Sequence, residues 1–402
     1  MTEKEPLFTP PRFHEDVEFH RHTNRSISWL ELFYDLVYIA TLIQIGNFLS
    51  SNVDTQGFAQ FLVLTVVVWW AWTGETFYQN RYVVDDLIHR VLVFTQMFAV
   101  ATIGLSISMA FGDLYVQFTL AYVVIRLMLI FMYLRSMRAH PESSALSRGY
   151  VTGFSLGIAV WLGSLLLPAE IHWVGWLVGI TIELTVPLVP RIRVLQQAVS
   201  VDYHHIAERF GIFTIIVLGE SFVKVLDDAQ GIAIELPQMI FSTFGLIVLY
   251  SLWWLYFTDT TDAVVEFDNP WKPFTWIYAH FPLAASLVMF GVAAKKLFAE
   301  TWEHPGDPVH PEYRLLYTGA VVLFLLAVAL IDASTVQEEA QVGDNQRVMV
   351  RVLGAVAAGI LGVTLTEVDA VGFVTVISVV MMTQVAYSIY HTRRDVSSHF
   401  TA

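Results

Sequence analysis

Long, unbroken apolar runs separated by short polar segments recur from about residue 29 to residue 391. Twelve such runs fall at roughly 29–50, 57–79, 87–111, 114–134, 150–168, 170–190, 204–226, 237–258, 274–298, 314–333, 347–366 and 369–391. Each is close to the ~20 residues that an α-helix needs to cross the hydrocarbon core of a bilayer. The alternation expected of a membrane barrel is absent, because these runs are continuous and about twice a barrel strand's length. The pattern predicts an all-α membrane protein of about twelve transmembrane helices. The 347–366 run, rich in Gly and Ala, is only moderately apolar, so ten or eleven spans are the alternatives. Residues 1–28 are polar, contain Pro6, Pro10 and Pro11, and read as a cytosolic arm. The first apolar run has spanning length and no small-residue cleavage site, unlike a signal peptide.

Composition agrees with this class. The AVILMFWYC residues make up 55% of the chain and charged residues only 14%, against about 25% charged in an ordinary globular domain. With no cysteine in the chain, disulfides, thiolate metal sites and thiol catalysis are excluded. The net charge of −14 argues against a nucleic-acid partner. Basic residues are unevenly spread. Arg81, then Arg135, Arg138 and Arg148, then Arg191 and Arg193 follow the second, fourth and sixth runs, and Arg393 and Arg394 lie in the tail. Under the positive-inside rule this places both termini in the cytosol and requires an even number of spans. Lys295, Lys296 and Arg314 break the pattern, but Glu300, Glu303, Asp307 and Glu312 dilute them.

Spacing points to an internal repeat. Trp69-Trp70-Ala-Trp72 resembles Trp253-Trp254-Leu-Tyr256; six residues beyond the first Trp stand Glu75 and Asp259, and twenty-seven beyond it stand Gln96 and His280. Glu31 and Glu208 open the first and seventh runs in similar contexts. The predicted organisation is an arm over 1–28, one six-helix repeat over 29–193, a second over 204–391 and a cytosolic tail over 392–402. With six spans each, the repeats would be parallel and related by an axis along the membrane normal.

Two stretches carry a family resemblance. Ser28-Trp-Leu-Glu31-Leu-Phe33-Tyr-Asp35-Leu-Val resembles the N-terminal signature of the low-temperature-requirement A (LtrA) family of prokaryotic membrane proteins. His205-Ile-Ala-Glu208-Arg209-Phe210-Gly, continuing to Gly219-Glu220-Ser221, is similar to its central signature, and His280-Phe-Pro282 fits as well. The resemblance covers nearly the whole chain. It implies a polytopic membrane protein named for a growth phenotype and carries no biochemical activity with it.

Polar residues inside apolar runs mark the candidate sites, since a carboxylate near the bilayer centre costs roughly 2.5 kcal/mol or more on insertion scales. Glu31 and Asp35 are four apart and share a helix face; Glu208 and Arg209 open the seventh run. Glu220 and Lys224 stand in the favourable Glu-before-Lys order of a helix pair, and His280 could relay a proton or bind a ligand. These seven form the expected substrate or proton pathway. The plain alternatives are snorkelling for groups near a helix end, an internal pair for Glu220 and Lys224, and a backbone hydrogen bond for His280. Arg126 in the fourth run and Glu183 in the sixth are expected to form a structural ion pair, and Asp332 an interfacial group. Gly153, Gly157, Gly354 and Gly359 read as close-contact positions. His204 with Glu208, His20 with His22, and His310 with Glu312 have the residue types of metal ligands, yet no metal, cofactor or catalytic constellation is expected.

These features are consistent with a multi-pass cell-membrane protein whose partners are the lipid bilayer and a small solute or ion. A secondary transporter with a cytosol-facing polar cavity is the leading expectation. The alternatives are a sensor or scaffold with purely structural polar clusters and an intramembrane lipid-modifying enzyme.

Overall fold

The computed structural model describes residues 10–13, 27–168, 170–199, 201–228, 235–260, 264–265, 269–336 and 344–399. Most of the N-terminal arm, with His20 and His22, lies outside the described residues, as do the side chains of Asp259, Arg393 and Arg394. Thirteen α-helices are described: α1 (Trp29–Ser51), α2 (Thr55–Arg81), α3 (Leu87–Ser106), α4 (Tyr115–Ala139), α5 (Ser144–Ser164), α6 (His172–Thr185), α7 (Pro190–Ala198), α8 (Tyr203–Asp228), α9 (Leu236–Thr260), α10 (Lys272–Glu303), α11 (Pro311–Ser334), α12 (Asp344–Thr364) and α13 (Ala370–His399). Each of the twelve apolar runs holds one helix, although α6 is only 14 residues long, and α7 is a short addition. Two-residue strands form two antiparallel pairs, β1 (Arg12–Phe13) with β2 (Tyr82–Val83) and β3 (Val264–Val265) with β4 (Thr335–Val336).

Among the described residues, nine helices are long and apolar enough to cross a membrane, or ten if the bent pair His172–Leu188 and Pro190–Ala198, angled at 52°, is one span. The count falls short of twelve for physical reasons. Five Ser or Thr and four Gly dilute α5, while Glu208, Arg209, Glu220 and Lys224 interrupt the apolar character of α8. Large apolar side chains such as Phe98, Leu105, Leu353, Val356 and Ile360 are exposed. That pattern suits a lipid-facing surface better than an aqueous one.

The chain divides into two compact units, one built on Met1–Phe48 and Gln60–Arg209, the other on Leu49–Ala59 and Phe210–Ala402. In the first, α3 packs on α4, α4 on α5 and α5 on α6. The N-terminus of α1 is closed by a reciprocal cap: Ser28 N donates to Glu31 Oε2 at 2.7 Å, and Glu31 N donates to Ser28 Oγ at 3.2 Å. Such a box satisfies backbone donors that have no partner within the helix. Asp86 caps α3 by accepting from His89 N and also pairs with Arg135 of α4.

In the second unit, α10 packs on α11, α11 on α12 and α9 on α13. From Leu283 to Ala294 every residue of α10 is buried, and this Ala-, Gly- and Ser-rich stretch lets neighbours approach closely. A Cβ at Gly291 would stand 2.8 Å from Ser221 Cα of α8, and Ser221 Oγ donates to Leu287 O at 2.8 Å. Pro282 removes one backbone donor inside α10, yet the helix continues through it.

Candidate functional site

The first unit buries a continuous polar network drawn from α1, α2, α3 and the opening turns of α8. Asp35 and Arg209 are both 0% exposed and Glu31 is 2% exposed. Arg209 Nη2 lies 2.6 Å from Asp35 Oδ1, its Nε donates to Asp35 Oδ2 at 3.2 Å, and its Nη1 stands 3.3 Å from Glu31 Oε1. This fork is the bidentate geometry that arginine favours with carboxylates. Trp72 Nε1 donates to Asp35 Oδ1 at 2.7 Å, and His205 Nε2 is 3.3 Å from Glu31 Oε1.

From the guanidinium the network runs inward through amides. Arg209 Nη1 donates to Gln79 Oε1 at 3.4 Å, and Gln79 Nε2 donates to Glu75 Oε1 at 2.9 Å. Gln96 Nε2 donates to Glu75 Oε2 at 2.9 Å, while Gln96 Oε1 accepts from the Tyr34 hydroxyl at 2.9 Å. The Tyr34 and Tyr38 hydroxyls are 2.9 Å apart. Helical periodicity explains why these residues meet. Glu31, Asp35 and Tyr38 lie along one face of α1, Trp72, Glu75 and Gln79 along one face of α2, and His205 and Arg209 are four apart on α8.

The same rule corrects the expectation for Glu208. One residue before Arg209 it is rotated by about 100°, and with His204 it lies on the exposed face of α8. Glu208 is therefore outside the network, and His205 and Arg209 provide the contacts to α1. Glu75, which the sequence marks only by its spacing from Trp69, is 0% exposed. Trp72, Gln79, Tyr34 and Tyr38 were missed, because such residues in apolar runs read as ordinary core. The i, i+4 spacing of Trp72, Glu75 or Thr76, and Gln79 was the available signal.

Arg126 and Glu183 form a second buried cluster in this unit, with Arg126 Nε 2.7 Å from Glu183 Oε2 and both side chains fully buried. Tyr122 bridges them, accepting from Arg126 Nε at 2.9 Å and donating to Glu183 Oε2 at 2.6 Å. Two glycines make room. A Cβ at Gly74 would stand 2.8 Å from Arg126 Nη1, and one at Gly157 would stand 2.6 Å from Glu183 Oε1. Gly157→Ala should therefore lower stability by about 1–3 kcal/mol, the usual range for overpacking. Gly163→Ala on the same helix, where nothing lies within 4 Å, is the matched control. Equal melting temperatures for the two variants in detergent would contradict this account. A cavity of about 460 Å³ opens elsewhere in the unit, between α5 and the α6–α7 bend, and is lined by Arg148, Thr152, Leu156, Ile182 and Arg191 among others. None of the network residues line it.

The remaining candidates lie in the second unit. His280 is buried; its Nδ1 sits 2.7 Å from Trp276 O of its own helix and its Nε2 3.1 Å from the Tyr256 hydroxyl. Both ring nitrogens are thus satisfied among Phe210, Trp276 and Tyr256, an arrangement that holds the ring rather than frees it. Lys224 is buried and Glu220 half-buried on the same face of α8, with Lys295 also within electrostatic reach of Lys224. Asp332, expected at an interface, is 0% exposed and faces Arg351 Nε at 3.6 Å. Arg351 carries no sequence signal of its own, standing near the start of a run read as only moderately apolar.

The bacterial low temperature requirement A protein (LtrA) family matches residues 26–385, nearly the whole chain. The chain belongs to the LtrA family. It is an LtrA-family membrane protein rich in apolar helices, and its buried network contains the first signature's Glu31 and Asp35 with the central signature's His205 and Arg209. The chain is also 26% identical over 312 residues to a protein of Rhizobium meliloti (strain 1021) described as uncharacterized, covering 74% of this chain and 75% of that one.

Proposed function

We propose that this LtrA-family protein is a proton-linked secondary transporter of a small solute or ion, with Glu75 as its proton-carrying group. The carrying observation is a charge imbalance. Among the described residues the network holds three carboxyl groups, Glu31, Asp35 and Glu75, against one permanent cation, Arg209. Glu31 and Asp35 touch the guanidinium; among the described residues Glu75 has no ion pair and is met by two amides. A lone buried charge is costly, and a structural cluster would be expected to balance, as Arg126 and Glu183 do.

The amides around Glu75 can serve both of its protonation states. Gln79 is held in one orientation, because a guanidinium only donates and must face the amide oxygen. Gln96 faces a tyrosine hydroxyl, which can donate or accept. When Glu75 takes a proton, rotation of the Gln96 amide presents its oxygen to the new O–H and its nitrogen to Tyr34. The Tyr34 hydroxyl then donates to Tyr38. Proton arrival at Glu75 is thereby coupled to a reversal of hydrogen bonds between α1, α2 and α3.

The wider setting of this reading is a cell-membrane protein of twelve spans, with both termini in the cytosol and two parallel six-helix repeats. Similar consecutive packing within each unit, α3 to α6 in one and α10 to α12 in the other, supports the repeat. A second reading, a sensor or scaffold with a structural staple, is favoured by the near-complete burial and pairing of Glu31, Asp35 and Arg209.

Glu75→Gln separates the two. Transport predicts that the variant stays folded in detergent and loses the infrared carbonyl band of a buried carboxylic acid. It also predicts loss of solute-dependent acidification in proteoliposomes loaded with a pH-sensitive dye and screened against a solute panel. A variant that titrates and moves protons like the wild type, with only a lower melting temperature, would leave the staple reading standing.

A further inference from the structure

We infer that Glu300, His304 and His310 form a binding site for a divalent transition metal, with zinc the best match, at the turn joining α10 to α11. Candidate ligand atoms of the three side chains all lie within 4.8 Å of one another. His310 Nδ1 is 2.9 Å from both carboxylate oxygens of Glu300, and the His304 and His310 ring centroids are 5.4 Å apart. Ligands about 2.0–2.1 Å from a tetrahedral zinc stand about 3.3 Å from one another, so modest side-chain rotation closes the set.

The backbone presents these groups without relying on a loose loop. Glu300 and His304 are four apart, hence on one face at the end of α10. Pro305 follows, and Gly306 at φ +81° takes the left-handed conformation that glycine tolerates best. Asp307 N donates to His304 O, and Val309 N donates to Val368 O, pinning the returning chain. His310 then caps α11, whose first residue is Pro311. One ligand therefore comes from the last turn of α10, the second from its C-cap residue and the third from the N-cap residue of α11.

The donor set selects the ion. Two imidazoles with one carboxylate suit zinc and its neighbours, whereas magnesium and calcium prefer all-oxygen shells. Three protein ligands leave a position for water or an external ligand. Glu300 is buried while both histidines are exposed, so the site opens outward, and Glu303, Asp307 and Glu312 add negative charge around it. His304 adds a third ligand atom to the Glu300–His310 pair, all within 4.8 Å of one another.

The test uses full-length untagged protein in detergent, titrated with zinc by calorimetry and with cobalt by visible absorption. Wild type should bind one more zinc per chain than His304→Ala/His310→Ala, and cobalt should give the intense bands of a four-coordinate site. His304→Ala alone, at an exposed position, should weaken zinc binding by more than about a hundredfold, beyond the usual cost of disturbing an outer-shell partner. Glu312→Gln should bind as wild type, and magnesium or calcium should not compete. Identical zinc isotherms for wild type and the double variant would overturn the site, as would equal competition by magnesium.

Discussion

Arg209→Ala should destabilise the protein by about 3–5 kcal/mol, the scale on which removing one partner of a buried ion pair acts. The guanidinium serves two buried carboxylates at once, Asp35 at 2.6 Å and Glu31 at 3.3 Å, so its loss leaves Asp35 with the Trp72 indole and Glu31 with His205 and the Ser28 backbone in place of the arginine's charge. Gln79 also loses the donor that fixes its amide. Neutralising the nearer acid should recover part of the loss, because Asn at position 35 can still accept from Trp72. Thermal unfolding in detergent should therefore rank wild type above Arg209→Ala/Asp35→Asn, and that above Arg209→Ala. An Arg209→Ala variant melting within about a degree of wild type would refute the pairing, since even 1 kcal/mol moves a domain of this size by about 2–4 °C.

The second large effect concerns Glu183. Glu183→Gln removes the only acid paired with Arg126 among the described residues and should also cost about 3–5 kcal/mol. Replacing both partners, as in Arg126→Met/Glu183→Leu, should bring stability back to within about 1–2 kcal/mol of wild type, because well-packed apolar groups substitute for buried pairs at little cost. The two experiments also contrast the clusters. The Arg126 cluster is balanced and should lose no proton-linked activity in the double variant. Among the described residues the Arg209 network has one carboxyl more than it has ion-paired acids, Glu75, on which the transport proposal rests. If the double variant melted as low as Glu183→Gln, the cluster would owe its stability to more than charge pairing.

Particular residues show what was legible. Asp35 shares a helix face with Glu31 by spacing alone, and its side chain is too short to reach an interface from the second turn of α1, so its burial follows from local geometry. Arg126 and Glu183 were matched by depth alone, and the structure sets them 2.7 Å apart. Glu208 and Arg209 both enter the sequence-based pathway, Glu208 because it repeats Glu31, but chemical similarity does not fix rotation about a helix axis. The residues four apart on the inward face, His205 and Arg209, make the contacts. For Asp332, hydropathy places an acid near a helix end; its partner Arg351 comes from a different helix, in the run read as only moderately apolar.

The sequence by itself determined the helical membrane class and the approximate position of each helix, and its local Ser28-to-Glu31 spacing allows the cap that closes α1. These depend on local periodicity, on the length of apolar runs and on backbone donors a few residues away. Tertiary structure alone decided which face of each helix turns inward and which polar groups meet. A lone guanidinium, carboxylate or imidazole in an apolar run states only that a partner is needed. Packing brings Asp35 to Arg209, leaves Glu75 between two amides and folds His310 back onto Glu300. Each of those partners depends on the rotation and closeness of separate helices, which no local pattern encodes.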